Sequence, residues 1–164
     1  MNPDHSPVRI ERLETAMYGI MERTQQPTLR AILRRPSIHS VHRITCYYAD
    51  GSASNSIATL IHTSQSTTLD CLYEGLFGQR PLHYEISFDR YEHFCDVLHR
   101  VHFDRLYHQR NMPLHASTLW QLERGAAQYS HGIIMTPVTP PMPYSALVNA
   151  IDAYLPEAIK RIHK

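Results

Sequence analysis

Four extended stretches follow one another between Val41 and Phe88 with no clear helical stripe to separate them. Strands that succeed each other in this way pair antiparallel, and strand–helix alternation of the Rossmann or flavodoxin kind is excluded. Val41–Tyr48 carries Ile44, Cys46 and Tyr48 on one face. Asp50-Gly51 reads as a turn, and Ser56–Thr63 returns with Ile57 and Ile61, expected on the Ile44 face. Leu69–Phe77 fits either period, and Gly75 and Gly78 argue against a stable helix, so 67–74 is taken as a strand. Leu82, Tyr84, Ile86 and Phe88 alternate with His83, Glu85 and Ser87, which predicts a half-buried strand.

Helical signals flank this block. Ile10, Leu13, Met17 and Ile20 recur in steps of three and four over about 8–24, and a short helix is expected at Leu29–Leu33. A third helix is expected at 89–103, with Asp89 and Glu92 in the spacing of a capping box. Its inner stripe is Tyr91, Phe94, Cys95, Leu98, Val101 and His102. The last helix carries Leu147, Val148, Ile151, Leu155, Ile159 and Ile162, with a restart expected at Leu155–Pro156, where proline removes a hydrogen bond.

The segment 118–135 reads as a hairpin. Trp120 and Leu122 alternate outbound, and Tyr129, Ile133 and Met135 alternate on return. Gly125-Ala126 suits a two-residue type II′ turn, which would set Trp120 opposite His131 and Leu122 opposite Tyr129. A buried, neutral His131 would then make the fold acid-sensitive.

The predicted order is α-α-β-β-β-β-α-β-β-α. This is an α+β domain over 8–164, with an antiparallel sheet of about six strands and its helices on one face, behind a polar tail at 1–7. The 164 residues bury enough surface to fold without staples, and Cys46, Cys71 and Cys95 form no paired motif. A cytoplasmic, reducing location is therefore expected. Met1–Arg9 holds no apolar stretch of the kind a secretory leader needs, and no run is long enough to span a membrane. A formal charge of +1 gives no overall field to attract an acidic or basic partner. Arginine far outnumbers lysine, which occurs only at Lys160 and Lys164, and histidine is abundant at 12 residues.

Phosphate-loop, dinucleotide, zinc-protease and nucleophile-elbow signatures are lacking, so no catalytic residues are assigned and the chain reads more readily as a non-enzyme. The first functional reading is a protein-contact module, self-associating as a homodimer along the Ile10, Leu13, Met17 and Ile20 stripe. The same stripe would equally serve a helix lying on its own sheet. The second reading is a small-molecule binder or enzyme with a pocket between the sheet and the 89–103 helix, lined by Tyr84, Tyr91, His102, Trp120, Tyr129 and His131. The third is anion or nucleic-acid binding through the acid-free segment 23–43, with Arg30, Arg34, Arg35 and Arg43. No cofactor is required. Zinc is the one metal suggested, because Cys95, His99 and His102 would share one face of a helix.

Overall fold

The computed structural model describes residues 7–163, so most of the expected polar tail lies outside the described residues. Two helices, α1 (Pro7–Arg23) and α2 (Leu29–Leu33), precede four strands. These are β1 (Ile38–Tyr48), β2 (Ser56–Thr63), β3 (Thr67–Tyr73) and β4 (Leu82–Glu85). Helix α3 (Phe88–Arg100) and a short 3-10 turn (Phe103–Arg105) lead to β5 (Thr118–Ala126) and β6 (Tyr129–Met135). Helix α4 (Tyr144–Tyr154) and a 3-10 turn (Pro156–Ile159) follow, a restart at Leu155–Pro156 as expected. The six strands form one antiparallel sheet in the order β4-β3-β2-β1-β5-β6. The α+β class, the strand count and the element order agree with the sequence reading.

The expectation that the helices share one face is corrected. Residues 42, 44, 46 and 48 of β1 point one way and 41, 43, 45 and 47 the other. Ile44, Cys46 and Tyr48 join the main core, with Phe94, Val97 and Leu98 of α3 and Leu147, Ala150 and Ile151 of α4. Val41 packs instead with Leu29 and Ile32 of α2. Tyr47 packs with Met17 and Ile20 of α1, together with Met112, Leu119 and Ile134. Helices therefore cover both faces.

A register difference accounts for this. Ile57 lies opposite Thr45 and Ile61 opposite Val41, whereas Ile44 faces Ala58. The two isoleucines are thus on the α1/α2 side and not on the Ile44 face. The connection 49–55 is a wider loop than an Asp50-Gly51 turn. Asn55 Oδ1 accepts the Tyr48 backbone N–H at 2.9 Å, which shifts the return strand by one residue and exchanges its faces.

The second hairpin turns at Ala127-Gln128, with Ala127 at φ 52°, and not at Gly125-Ala126. Trp120 lies opposite Met135, Leu122 opposite Ile133, and His131 opposite Arg124. This slide keeps the parity, so Trp120, Leu122, Ile133 and Met135 still share the core face. It pairs all four in one buried layer, where each large apolar side chain contributes about 1.5–3 kcal/mol. A preferred turn glycine contributes only about 1 kcal/mol, so packing decides the register. Tyr129 is left exposed beside the turn. Gly125 has another use: a Cβ there would lie 2.9 Å from Leu33 Cδ1 and 3.3 Å from Leu29 Cδ2, so its absence lets α2 settle on β5.

Strand β3 matches the 67–74 expectation. Strand β4 stops at Glu85, short of the expected 88, and Phe88 opens α3 with 61% of its surface exposed. The helix is capped by Ser87, whose side chain accepts the Arg90 N–H, and not by the Asp89–Glu92 pair.

Candidate functional site

Opposite residues on neighbouring antiparallel strands share a face. His42 on β1 faces Arg124 on β5, which faces His131 on β6. This nitrogen-bearing row lies on the main-core side, next to Leu122 and Ile44 in the adjacent rows. Helix α3 crosses above it. Phe94 packs edge-on against the His42 ring at 5.4 Å between centroids, and Tyr91 does so at 6.2 Å. Tyr91 also stacks on His62 at 4.1 Å, and its hydroxyl lies 2.6 Å from the Ser40 hydroxyl. His62 in turn meets His39 edge-on at 6.0 Å.

Between α3, the Phe103–Arg105 turn, β1 and β5 opens a cleft of about 610 Å³. Ser40, His42 and Arg124 line it from the sheet, and Tyr91, Cys95, His99 and His102 from α3 and its end. Asp104 borders it from the turn, and Arg124 Nη1 donates to both Asp104 carboxylate oxygens at 2.8 and 3.1 Å. His42 is fully buried, and its pKa is pushed down to about 3, first by burial and then by the charges of Arg124 and His62. It is a neutral imidazole at any physiological pH, and its buried Nδ1 has no hydrogen-bond partner among the described residues.

The residues expected to line a pocket divide into two groups. Tyr91 and His102 line the cleft. Trp120 is core, with 6% of its surface exposed, and Tyr84 lies on β4 at the far edge of the sheet. His131 stands behind the Phe103–Arg105 turn, its ring edge-on to Phe103 and its Nε2 2.7 Å from the Leu106 carbonyl oxygen. The Tyr129 hydroxyl donates to the Asp104 carbonyl at 3.2 Å.

Cys95, His99 and His102 all border the cleft without forming a metal centre. Among the described residues, no three His, Cys, Asp or Glu side chains are placed to hold a metal ion. Helix α3 ends at Arg100, and His102 turns to φ 52°, so the single helical face assumed for the three residues breaks before its last member. Burial pushes the Cys95 thiol up, away from the reactive thiolate.

The arginines of the basic segment do not share a surface. Arg30, Arg34 and Arg35 are exposed, while Arg43 is buried in mid-sheet on the α1/α2 face. There Arg43 lies between Thr59 of β2 and Glu123 of β5. Its Nε donates to Thr59 Oγ1 at 3.2 Å, and both its Nη atoms are buried without a partner among the described residues. Of the α1 stripe, Met17 and Ile20 are fully buried on the sheet and Ile10 and Leu13 half-buried beside them. Sequence reasoning placed none of His42, Ser40 and Arg124 in a pocket. The alternation of β1 already put His42 on the Ile44 face, but the pairing of β1 with β5 was not readable.

No known protein family matches the chain, and no curated protein matches it. Among the described residues, no helix is long and apolar enough to cross a membrane.

Proposed function

We propose that this protein is a small-molecule-binding domain whose ligand occupies the cleft between α3 and the β1–β5 pair. The observation that carries this reading is the cleft itself, about 610 Å³ and lined by His42, a buried imidazole with an unpartnered nitrogen. Ligand sites are concave, run to about 300–1,000 Å³, and combine apolar walls with a few fixed polar groups. Phe88, Leu98 and Phe103 supply apolar wall here, and Ser40, His42 and Arg124 supply polar atoms. Binding is favoured over catalysis because His42 is held neutral and the Cys95 thiol is held protonated, which leaves neither poised for proton transfer or attack near pH 7. The unpaired Cys46, Cys71 and Cys95 support a cytoplasmic setting. Amide chemical-shift mapping with a library of small aromatic fragments tests the reading. Hits should converge on the amides of Ser40, Tyr91 and Arg124, whereas hits scattered over the surface, or none, would sink it.

A second reading, a self-associating protein-contact domain, draws on a different surface from the α1 stripe. Tyr107 is 75% exposed and Met142 72% exposed, in neighbouring loops joined where the Tyr144 hydroxyl donates to the Tyr107 carbonyl at 2.6 Å. Light scattering at tens of micromolar discriminates: a dimer dissociated by Tyr107→Glu supports this reading, and a wild-type monomer ends it.

A further inference from the structure

We propose that the ligand of this cleft carries a carboxylate, held on the Nε and Nη2 fork of Arg124. The inference rests on the small-molecule reading above and adds the chemical class.

Arg124 is a cleft residue with spare donors. Its bonds to Asp104 both leave from Nη1, while Nε and Nη2 make no hydrogen bond among the described residues, and the side chain is 31% exposed. Those two nitrogens present parallel N–H groups on one edge of the guanidinium, the geometry that takes a planar carboxylate two oxygens at a time. The Arg124 charge is felt across the cleft. It disfavours the charged form of His42 and favours the ionised forms of Tyr91 and Cys95. Beneath it, His42 is neutral and so does not compete for the anion. Opposite stands the Ser40–Tyr91 hydroxyl pair, 2.6 Å apart. One hydroxyl donates to the other, and Tyr91 also has the Cys95 thiol as a hydrogen-bond neighbour, so a ligand oxygen would draw on the proton that this small network leaves over. The counter-ion in place is Asp104, on an exposed turn with 46% of its side-chain surface open, so an incoming carboxylate competes with a solvated partner and not a buried one. Glu92 and Asp96 also border the cleft, but from exposed positions on α3. The apolar walls then take the remainder of the molecule, so an aryl-alkyl acid matches the site better than a bare inorganic anion.

The test uses 3-phenylpropionate and 3-phenylpropionamide, which share shape and differ in charge, titrated into the full chain in low-chloride buffer and followed by amide shifts. The acid should bind at least about tenfold more tightly than the amide, because a charge-assisted paired hydrogen bond is roughly twice as strong as a neutral one. Arg124→Lys keeps the charge but loses the fork and should weaken the acid about tenfold and the amide clearly less. Asp104→Asn removes the competing carboxylate and should tighten the acid several-fold. Circular dichroism confirms that each variant is folded. Equal affinity for acid and amide, or an Arg124→Lys protein that binds the acid as well as wild type, overturns the proposal. If uncharged aromatic fragments from the mapping experiment bind the cleft and the acid does not, the carboxylate assignment fails alone. If nothing binds there, it falls together with the small-molecule reading.

Discussion

His42 and Arg124 sit directly opposite each other on β1 and β5, facing the same side of the sheet, one a neutral ring buried beneath α3 at the floor of the cleft and the other a cation open to it. A protonated His42 would meet that cation with no carboxylate among the groups that act on it, which are Arg124 and His62. The burial and the neighbouring charge therefore push in the same direction.

Acid stability follows from this. The His42 pKa is about 3 in the fold and near 6.5 in an unfolded chain, so the unfolded state takes up the proton first. The stability conferred is present above about pH 6.5 and is lost as pH falls toward 3. Replacing His42 with Leu, of similar volume, should remove a loss on the order of a few kcal/mol between pH 7 and 4. At pH 7 it should raise stability by about 1 kcal/mol, because an unpartnered buried nitrogen disappears. Urea denaturation at several pH values gives both numbers, and a variant as acid-sensitive as wild type would show that His42 is not the group.

The mid-sheet pair Arg43 and Glu123 should be replaceable. Arg43 is buried with two unpartnered nitrogens, and burial raises the pKa of Glu123 although Arg43 opposes this. The double variant Arg43→Met, Glu123→Gln should equal or exceed wild-type stability by about 1 kcal/mol, because desolvating the buried Arg43 costs more than its attraction to the half-buried Glu123 returns. Arg43→Met alone should do worse, since it strands Glu123. A double variant less stable than either single one would contradict the account.

Gly125 is predicted to be a packing glycine. Gly125→Ala should cost about 1 kcal/mol as the ends of Leu29 and Leu33 give way, and Gly125→Val about 2–3 kcal/mol, because overpacking displaces α2. The thermal midpoint measures this. If both variants melt like wild type, α2 does not rest on β5 as described.

Ser87→Ala should cost about 1 kcal/mol, because the side chain accepts the Arg90 N–H at the start of α3. Asp89→Ala, at the position expected from the sequence to cap, should cost less than half as much. The reverse order in chemical denaturation would return the cap to the Asp89–Glu92 pair.

Much of the architecture was legible because it depends on short-range period. Gly75 and Gly78, which leave no room for a stable helix, turned the ambiguous segment 67–74 into the strand that is β3, and the absence of helices between strands required an antiparallel sheet. Pro156 ended α4 where its missing N–H demands. Of the candidate cleft, Tyr91 and His102 lie on the stripe read for α3, whereas Trp120 fills the core, and an aromatic on a core face looks the same in sequence whether it lines a pocket or fills a core.

Which stretches are helix and strand, and which residues of one strand share a face, could be read locally, since both follow from bonded geometry repeated every few residues. Which strand faces lie together was set by long-range packing. Asn55 shifted β2 by one residue and sent Ile57 and Ile61 to α1 and α2, and the packing of Ile133 and Met135 slid β6 past a favourable turn. The physical reason is that register depends on sums of contacts between residues far apart in the chain. A kilocalorie of local turn preference is small against a layer of buried side chains. That same long-range choice set Arg124 opposite His42 and so made the cleft.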